Sequence, residues 1–145
     1  MMPTEPVAAK IESVTLLPEL AELVRLSAWV DDIGKRLEMS MSRLYAVQLC
    51  LEELVANVVL HGRKFHEAKF SIYVELSPSN GGLEVHVDDS GWPFDPTAAM
   101  QPPRAHSLDD APVGGLGLVL VRRFAHSITY RRDGDWNRVT LLFAD

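Results

Sequence analysis

Apolar and polar residues alternate through "KIESVTLL" (Lys10 to Leu17), a period that predicts a first β-strand. At Pro18 the period changes. In "PELAELVRLSAWVDDIGKRLEM" the apolar Leu20, Leu23, Val24 and Ala28 recur at helical spacing, and the proline suits a helix opening. "SMS" offers caps for a second helix over about Arg43 to His61, closed by Gly62. "AKFSIYVELS" and "GLEVHVDDS" read as two strands joined by the turn "PSNGG", hence a hairpin. A long stretch rich in Pro, Ala and Asp follows, roughly Gly91 to Val113, and a loop of that length in a small domain is usually functional. "GGLGLVLVRRFA" predicts a helix with a glycine-rich start, and "SITYRRD", a turn at Gly134 and "NRVTLLF" predict a closing hairpin. The order β-α-α-β-β-loop-α-β-β lacks the alternation of a doubly wound sheet, and it predicts a mostly antiparallel sheet with helices on one face.

The second helix breaks its own pattern. On a wheel of about 100° per residue, Leu44, Val47, Leu51, Leu54, Val55, Val58 and Val59 form a broad apolar stripe. Glu53 and Asn57 lie together on the far side, yet their neighbours there are Ala46, Leu49, Cys50, Ala56 and Leu60 rather than solvated groups. A carboxylate and an amide in a mostly non-polar surround need a partner. An internal salt bridge plus a helix-end amide would supply one, and a bound ligand would supply another. Glu52, nearer the edge of the stripe, reads as a solvated or structural charge. His61 before Gly62 reads as a C-terminal cap.

Composition narrows the classes. The chain has 145 residues, enough for one domain with a proper core, and 47% of them are hydrophobic. A net charge of −6 with no basic run argues against nucleic acid as the main partner. The single cysteine, Cys50, excludes an internal disulfide and a cysteine-rich metal site and fits a reducing compartment. "MMPTEPVAAK" has no apolar signal core, and no segment reads as long enough to span a bilayer, so a cytoplasmic protein with no membrane partner is expected.

Two further stretches carry chemistry. "VHVDDSGWPFDP" ends a strand in Asp89-Ser90-Gly91, an ordinary turn by itself. At a strand end opening onto the long loop, the Asp89 carboxylate could also accept from an amino-bearing ring, with Gly91 leaving room for that ring. Asp88 alternates to the other face, and Asp95 before Pro96 reads as a loop cap. "GGLGL" (Gly114 to Leu118) can bring backbone N–H groups to an anion at a helix N-terminus. It is neither a Walker loop nor a dinucleotide fingerprint, and close packing would explain its glycines equally well.

In chain order, "EELVAN", "DSGWPFDP" and "GGLGLVLVRRF" resemble the N, G1 and G2 boxes of the GHKL ATPase superfamily, most closely its stand-alone RsbW-like anti-sigma-factor serine/threonine kinases. The resemblance implies the Bergerat α/β two-layer sandwich with a mixed, mostly antiparallel sheet. Residues 1–9 are expected to be a flexible N-terminus, and the resemblance implies a single ATP-binding kinase domain over 10–145 with an ATP lid at about 92–113. By resemblance Asn57 binds Mg²⁺ held by the ATP phosphates, and Glu53 is the catalytic general base. Asp89 reads adenine, Gly91 lies under the ring, and Gly115, Leu116, Gly117 and Leu118 form the phosphate turn. The implied cofactors are ATP and Mg²⁺. The implied partners are a STAS-domain anti-anti-sigma factor as substrate, a sigma factor or analogous effector, and a second copy in a homodimer. Two departures stand out: Trp92-Pro93 replaces a frequent second G1 glycine, and no arginine immediately precedes the Gly114-Gly115 turn, the nearest lid base being Arg104. These departures bear on phosphoryl transfer more than on ATP binding, so an ATP-responsive sequestering module is the alternative function. A histidine-kinase catalytic domain is a third reading, disfavoured because no helix pair with a phospho-acceptor histidine precedes the domain in this sequence.

Overall fold

The computed structural model describes residues 10–62, 70–98 and 115–144. Strand β1 (Glu12–Leu16) leads into helix α1 (Glu22–Arg36), then helix α2 (Met41–His61). The hairpin β2 (Ile72–Ser79) and β3 (Gly82–Asp89) follows, then helix α3 (Gly115–Phe124) and the hairpin β4 (Ser127–Asp133) and β5 (Trp136–Phe143). The strands form one sheet of order β1-β2-β3-β5-β4, and every described pairing is antiparallel. The first hairpin turns through Asn80 (φ 45°) and Gly81 (φ 80°), the left-handed pair that a two-residue hairpin turn requires.

Alternation within the strands decides which face is covered. Ile72, Val74 and Leu76, then Leu83, Val85 and Val87, then Val139, Leu141 and Phe143 all point inward and are buried. They join one core with Leu26, Val30 and Ile33 of α1, Val47, Leu51, Leu54 and Val55 of α2, and Leu118 and Val121 of α3. Burial of each such side chain stabilises by about 1.5–3 kcal/mol. The opposite face of the sheet is polar. There Arg138 grips Asp88 with two hydrogen bonds of 2.8 and 2.7 Å, and His86 sits between Thr140 and Glu84. The expected two-layer α/β sandwich, with helices on one face, is the observed architecture.

Four local expectations need correction. Helix α1 begins at Glu22 rather than at Pro18. The Glu22 carboxylate accepts from the Leu17 N–H and from Arg25, whose guanidinium also reaches the Thr15 carbonyl, so the chain before the helix is held as a turn. The face α1 buries is Leu26, Val30, Ile33 and Gly34, while Leu20 and Val24 are exposed. Gly62 ends α2 at φ −71°, without the left-handed turn that the residue type predicts. A Cβ there would lie 2.6 Å from the Phe70 ring and from the Val58 carbonyl, so crowding is what excludes a side chain. Finally, α2 has 21 residues and is long and apolar enough to cross a bilayer by length and composition, contrary to expectation. In this fold its apolar surface packs on the sheet, with α1 and α3 also against it.

Candidate functional site

A pocket opens where the C-terminal half of α2 meets the ends of β3 and β5. Leu54 and Val58 of α2 with Val87 and Val139 of the sheet make its apolar floor, and Trp92, Phe94 and Pro96 wall it from the loop after β3. Asn57 and Asp89 both face it, from the helix and from the sheet. The His61 ring, at the last residue of α2, stacks on Phe94 with centroids 4.9 Å apart. The cavity is about 20 Å³, room for a single water rather than a heterocycle.

Asn57 is 4% exposed, the deepest polar residue of α2. Its amide N–H donates to the Glu53 carbonyl one turn back at 2.9 Å. A backbone carbonyl only accepts, so this bond fixes which end of the amide is which. The side-chain oxygen then takes no hydrogen bond from any described residue. A buried residue therefore presents to the pocket an oxygen that no described donor occupies.

Glu53 is half-buried and forms no ion pair or side-chain hydrogen bond among the described residues. Its charge adds to burial in pushing the Cys50 thiol up to about 12, with burial the larger cause. That thiol is inert at neutral pH. Glu52 is half-buried and has no partner of this kind either.

Asp89, the last residue of β3, is also 4% exposed. Its Oδ1 accepts from the Gly91 N–H at 3.0 Å and from the Asn137 amide at 2.9 Å. Burial raises its pKa above the ordinary carboxylate value. The Asn137 and Gly91 hydrogen bonds and the positive charge of Arg132 oppose that rise, and Asp88 adds to it. Asp88, its neighbour, is committed to Arg138 on the other face, as alternation predicts. Gly91 is buried between Asp89 and the end of α2: a Cβ there would lie 3.0 Å from both Asp89 Oδ1 and the Gly62 carbonyl. That contact is tight for any side chain, and the pocket lining does not include Gly91. Asp95 forms the loop cap, accepting from the Thr97 N–H at 2.8 Å.

Sequence reasoning missed Asn137. This residue of β5 is 2% exposed and pairs with Asp89 in the β3–β5 register. Its amide group donates to Asp89 and to the Trp92 carbonyl, both at 2.9 Å. Its oxygen accepts from the Tyr130 hydroxyl and from the Phe94 N–H. Arg132 adds a 2.9 Å bond to the Gly91 carbonyl, so β4 and β5 together hold the turn after β3. The available signal was positional. Asn137 shares strand parity with Val139, Leu141 and Phe143, so it is an amide at an inward position.

Gly115 opens α3, as expected of the glycine-rich turn, and Leu118 is a core residue. Gly114, Arg104 and the expected ATP lid beyond residue 98 lie outside the described residues, as do the side-chain surroundings of Gly115, Leu116 and Gly117.

Residues 16–143 match the family described as the histidine kinase-like ATPase domain. The chain belongs to that family, the GHKL type of ATPase and kinase. Over 114 residues it is 38% identical to the serine/threonine-protein kinase BtrW of Bordetella bronchiseptica, covering 78% of this chain and 79% of the relative. Its fold is similar to the solved RsbU and RsbW domains of a Mycobacterium tuberculosis protein, with TM-score 0.67 and 15% identity over 93% of this chain and 32% of that longer one. It is also similar to the histidine kinase domain of the blue-light-activated kinase of Erythrobacter litoralis, with TM-score 0.51 and 17% identity. That match covers 86% of this chain and 59% of the other.

Proposed function

We propose that this chain is an ATP-dependent protein serine/threonine kinase that acts as an anti-sigma factor in partner switching. Its substrate would be a STAS-type anti-anti-sigma protein, and its sequestered effector a sigma factor or an analogue. The observation that carries the reading is the pairing of an Asn57 oxygen that no described donor occupies and a buried Asp89 carboxylate across one pocket, in a chain of the histidine kinase-like ATPase family. The likeness to a named serine/threonine-protein kinase supports transfer to a protein hydroxyl.

The residue types fit the implied cofactors. The Asn57 oxygen is a hard donor of the kind Mg²⁺ takes. Among the described residues no three His, Cys, Asp or Glu side chains gather into a protein-built cage, so phosphate and water oxygens would complete its coordination. When bound, that ion would neutralise charge on the phosphates. Asp89 Oδ2, which no described donor occupies, would accept from the adenine amino group. Glu53, one turn before Asn57, would take the proton of the acceptor hydroxyl. Gly115, Leu116, Gly117 and Leu118 would bring the start of α3 to the phosphates. The lid at about 92–113 would close over the nucleotide. The single domain over 10–145, a cytoplasmic location and a homodimer belong to the same proposal.

The test is incubation of the chain with γ-labelled ATP, Mg²⁺ and STAS-domain antagonists. Label on an antagonist serine or threonine is the expected result. ATP binding without transfer to any antagonist would leave the sequestering module as the function, with Trp92-Pro93 and the missing arginine before Gly114-Gly115 as the first sites to examine.

A further inference from the structure

Asp89 can discriminate between purines only if one of its oxygens is held at a fixed angle to the incoming ring. A free carboxylate at a strand end would rotate about its last torsion and accept from many directions. Here rotation is blocked, because Oδ1 is shared between the Gly91 N–H and the Asn137 amide while Oδ2 has no described donor. The second donor is itself immobile. The Trp92 carbonyl can only accept and the Phe94 N–H can only donate, so these two backbone groups define the two ends of the Asn137 amide. The Tyr130 hydroxyl reinforces the oxygen end. All of the bonding capacity of Asn137 at the pocket is therefore used within the protein, and none remains to read a base directly.

We propose that Asn137 is the positioning residue of the nucleotide pocket. Its amide locks one oxygen of Asp89 and turns the other toward a purine amino group, so that preference for adenine over guanine depends on a residue that does not touch the base. The proposal rests on the assignment of this pocket to ATP. Its readouts are nucleotide choice and the pH profile of binding, which loss of packing alone would not move together. An ionised carboxylate accepts more strongly than a protonated one, and the Asn137 bond opposes the burial that favours protonation of Asp89. Without that bond, the weakening of ATP binding in acid should begin at a higher pH. Among the described residues, the other charged or titratable groups near Asp89 are Arg132 and Tyr130 on β4, Asp88 on β3, Asp95 in the loop and His61 on α2. All are shared by wild type and variant, so the difference between the two reports Asn137.

The experiment is calorimetric titration of Mg·ATP and Mg·GTP into wild type, Asn137→Ala, Tyr130→Phe and Asp89→Asn across mildly acidic to mildly alkaline pH, with circular dichroism to confirm folding. In Asn137→Ala the ratio of ATP to GTP affinity should fall by about tenfold, the scale of a lost hydrogen bond to a charged group, and the acid limb should move to higher pH. Tyr130→Phe, which keeps the ring, should shift both in the same direction by less. A folded Asn137→Ala with wild-type ratio and profile overturns the proposal. If Asn137→Ala does not fold, an unshifted Tyr130→Phe overturns it. Wild type that fails to bind ATP, or Asp89→Asn with undiminished preference for ATP, overturns the pocket assignment itself, and this proposal with it.

Discussion

Two buried asparagines face the same pocket, and they are bonded in opposite ways. Asn137 spends its amide at both ends on Asp89, Trp92, Phe94 and Tyr130. Asn57 spends one N–H on its own helix, and no described residue donates to its oxygen. Burying an amide is costly unless its bonds are made. Asn137 meets that cost inside the protein, which is how a structural amide behaves. Asn57 meets it only in part, which is how a ligand-binding amide behaves. The number of bonds already made therefore separates scaffold from site where burial alone does not, since the two residues are 2% and 4% exposed.

The largest effect that sharpens this contrast is expected one turn before Asn57. Glu53 holds Asn57 through its backbone carbonyl, so Glu53→Gln leaves that anchor intact while removing the carboxylate. ATP binding should stay near wild type, and phosphoryl transfer to the antagonist should fall by about a hundredfold or more, the scale of a lost general base. Single-turnover assays with labelled ATP measure it, and undiminished transfer would move the role to Glu52 or to positioning alone. Next in size is Asn57→Ala. Mg·ATP affinity should drop by roughly tenfold to a hundredfold, as expected for losing a bond to a charged ligand. Folding stability should change by less than about 1 kcal/mol, because one intrahelical bond is lost. Wild-type affinity in this variant would remove Asn57 from the site.

Asn137→Ala should do the reverse. It removes the described partner of the Phe94 N–H and of the Tyr130 hydroxyl, and one donor to the buried Asp89, in a part-buried corner. A loss of about 1–3 kcal/mol in urea denaturation is expected, the cost of leaving buried polar groups unmade. A smaller loss than in Asn57→Ala would break the comparison.

How much of this was legible depended on whether one local signal settled the matter. Helix α2 carried its apolar periodicity, the Ser40 cap and the misplaced Glu53–Asn57 pair in the residues themselves. Its predicted range, 43–61, lies within two residues of the observed start. Asn80-Gly81 announced its hairpin through residue types that tolerate positive φ. Helix α1 was ambiguous because two apolar stripes share its helical spacing. Only packing against α2 and the sheet selects Leu26, Val30 and Ile33 and leaves Val24 78% exposed. Asn137 stayed hidden for another reason. Its partners come from β3, β4 and the turn after β3, up to 48 residues away, so nothing local marks it except strand parity. Gly91 is similar: its close approach to Gly62 exists only after α2 and β3 are assembled.

The smallest predicted effect tests whether Asp89 belongs with Asn57 or with Asn137. Asp89→Asn can keep both bonds at Oδ1, because an amide oxygen accepts from Gly91 and Asn137 as a carboxylate oxygen does. What it removes is a charge that burial disfavours. In wild type the folded pKa of Asp89 lies above its ordinary 3.8, so the folded state holds that proton more tightly than the unfolded chain does. The stability this contributes is complete below the unfolded value and is lost as pH rises through the folded one. Glu12 and Glu22 act in the opposite sense. Their arginine partners hold them below 4.5, so the stability they give is present above that value and lost as pH falls. Both remain in the variant and cancel in the comparison. The stability of Asp89→Asn relative to wild type should therefore grow as pH is raised from 4 to neutrality, which parallel urea denaturations at each pH would show. The same substitution places an amide N–H₂ where the adenine amino group would arrive, so the more stable protein should bind ATP less well. A difference that stays flat with pH would mean that Asp89 is a satisfied structural carboxylate, closer to Asn137 than to Asn57.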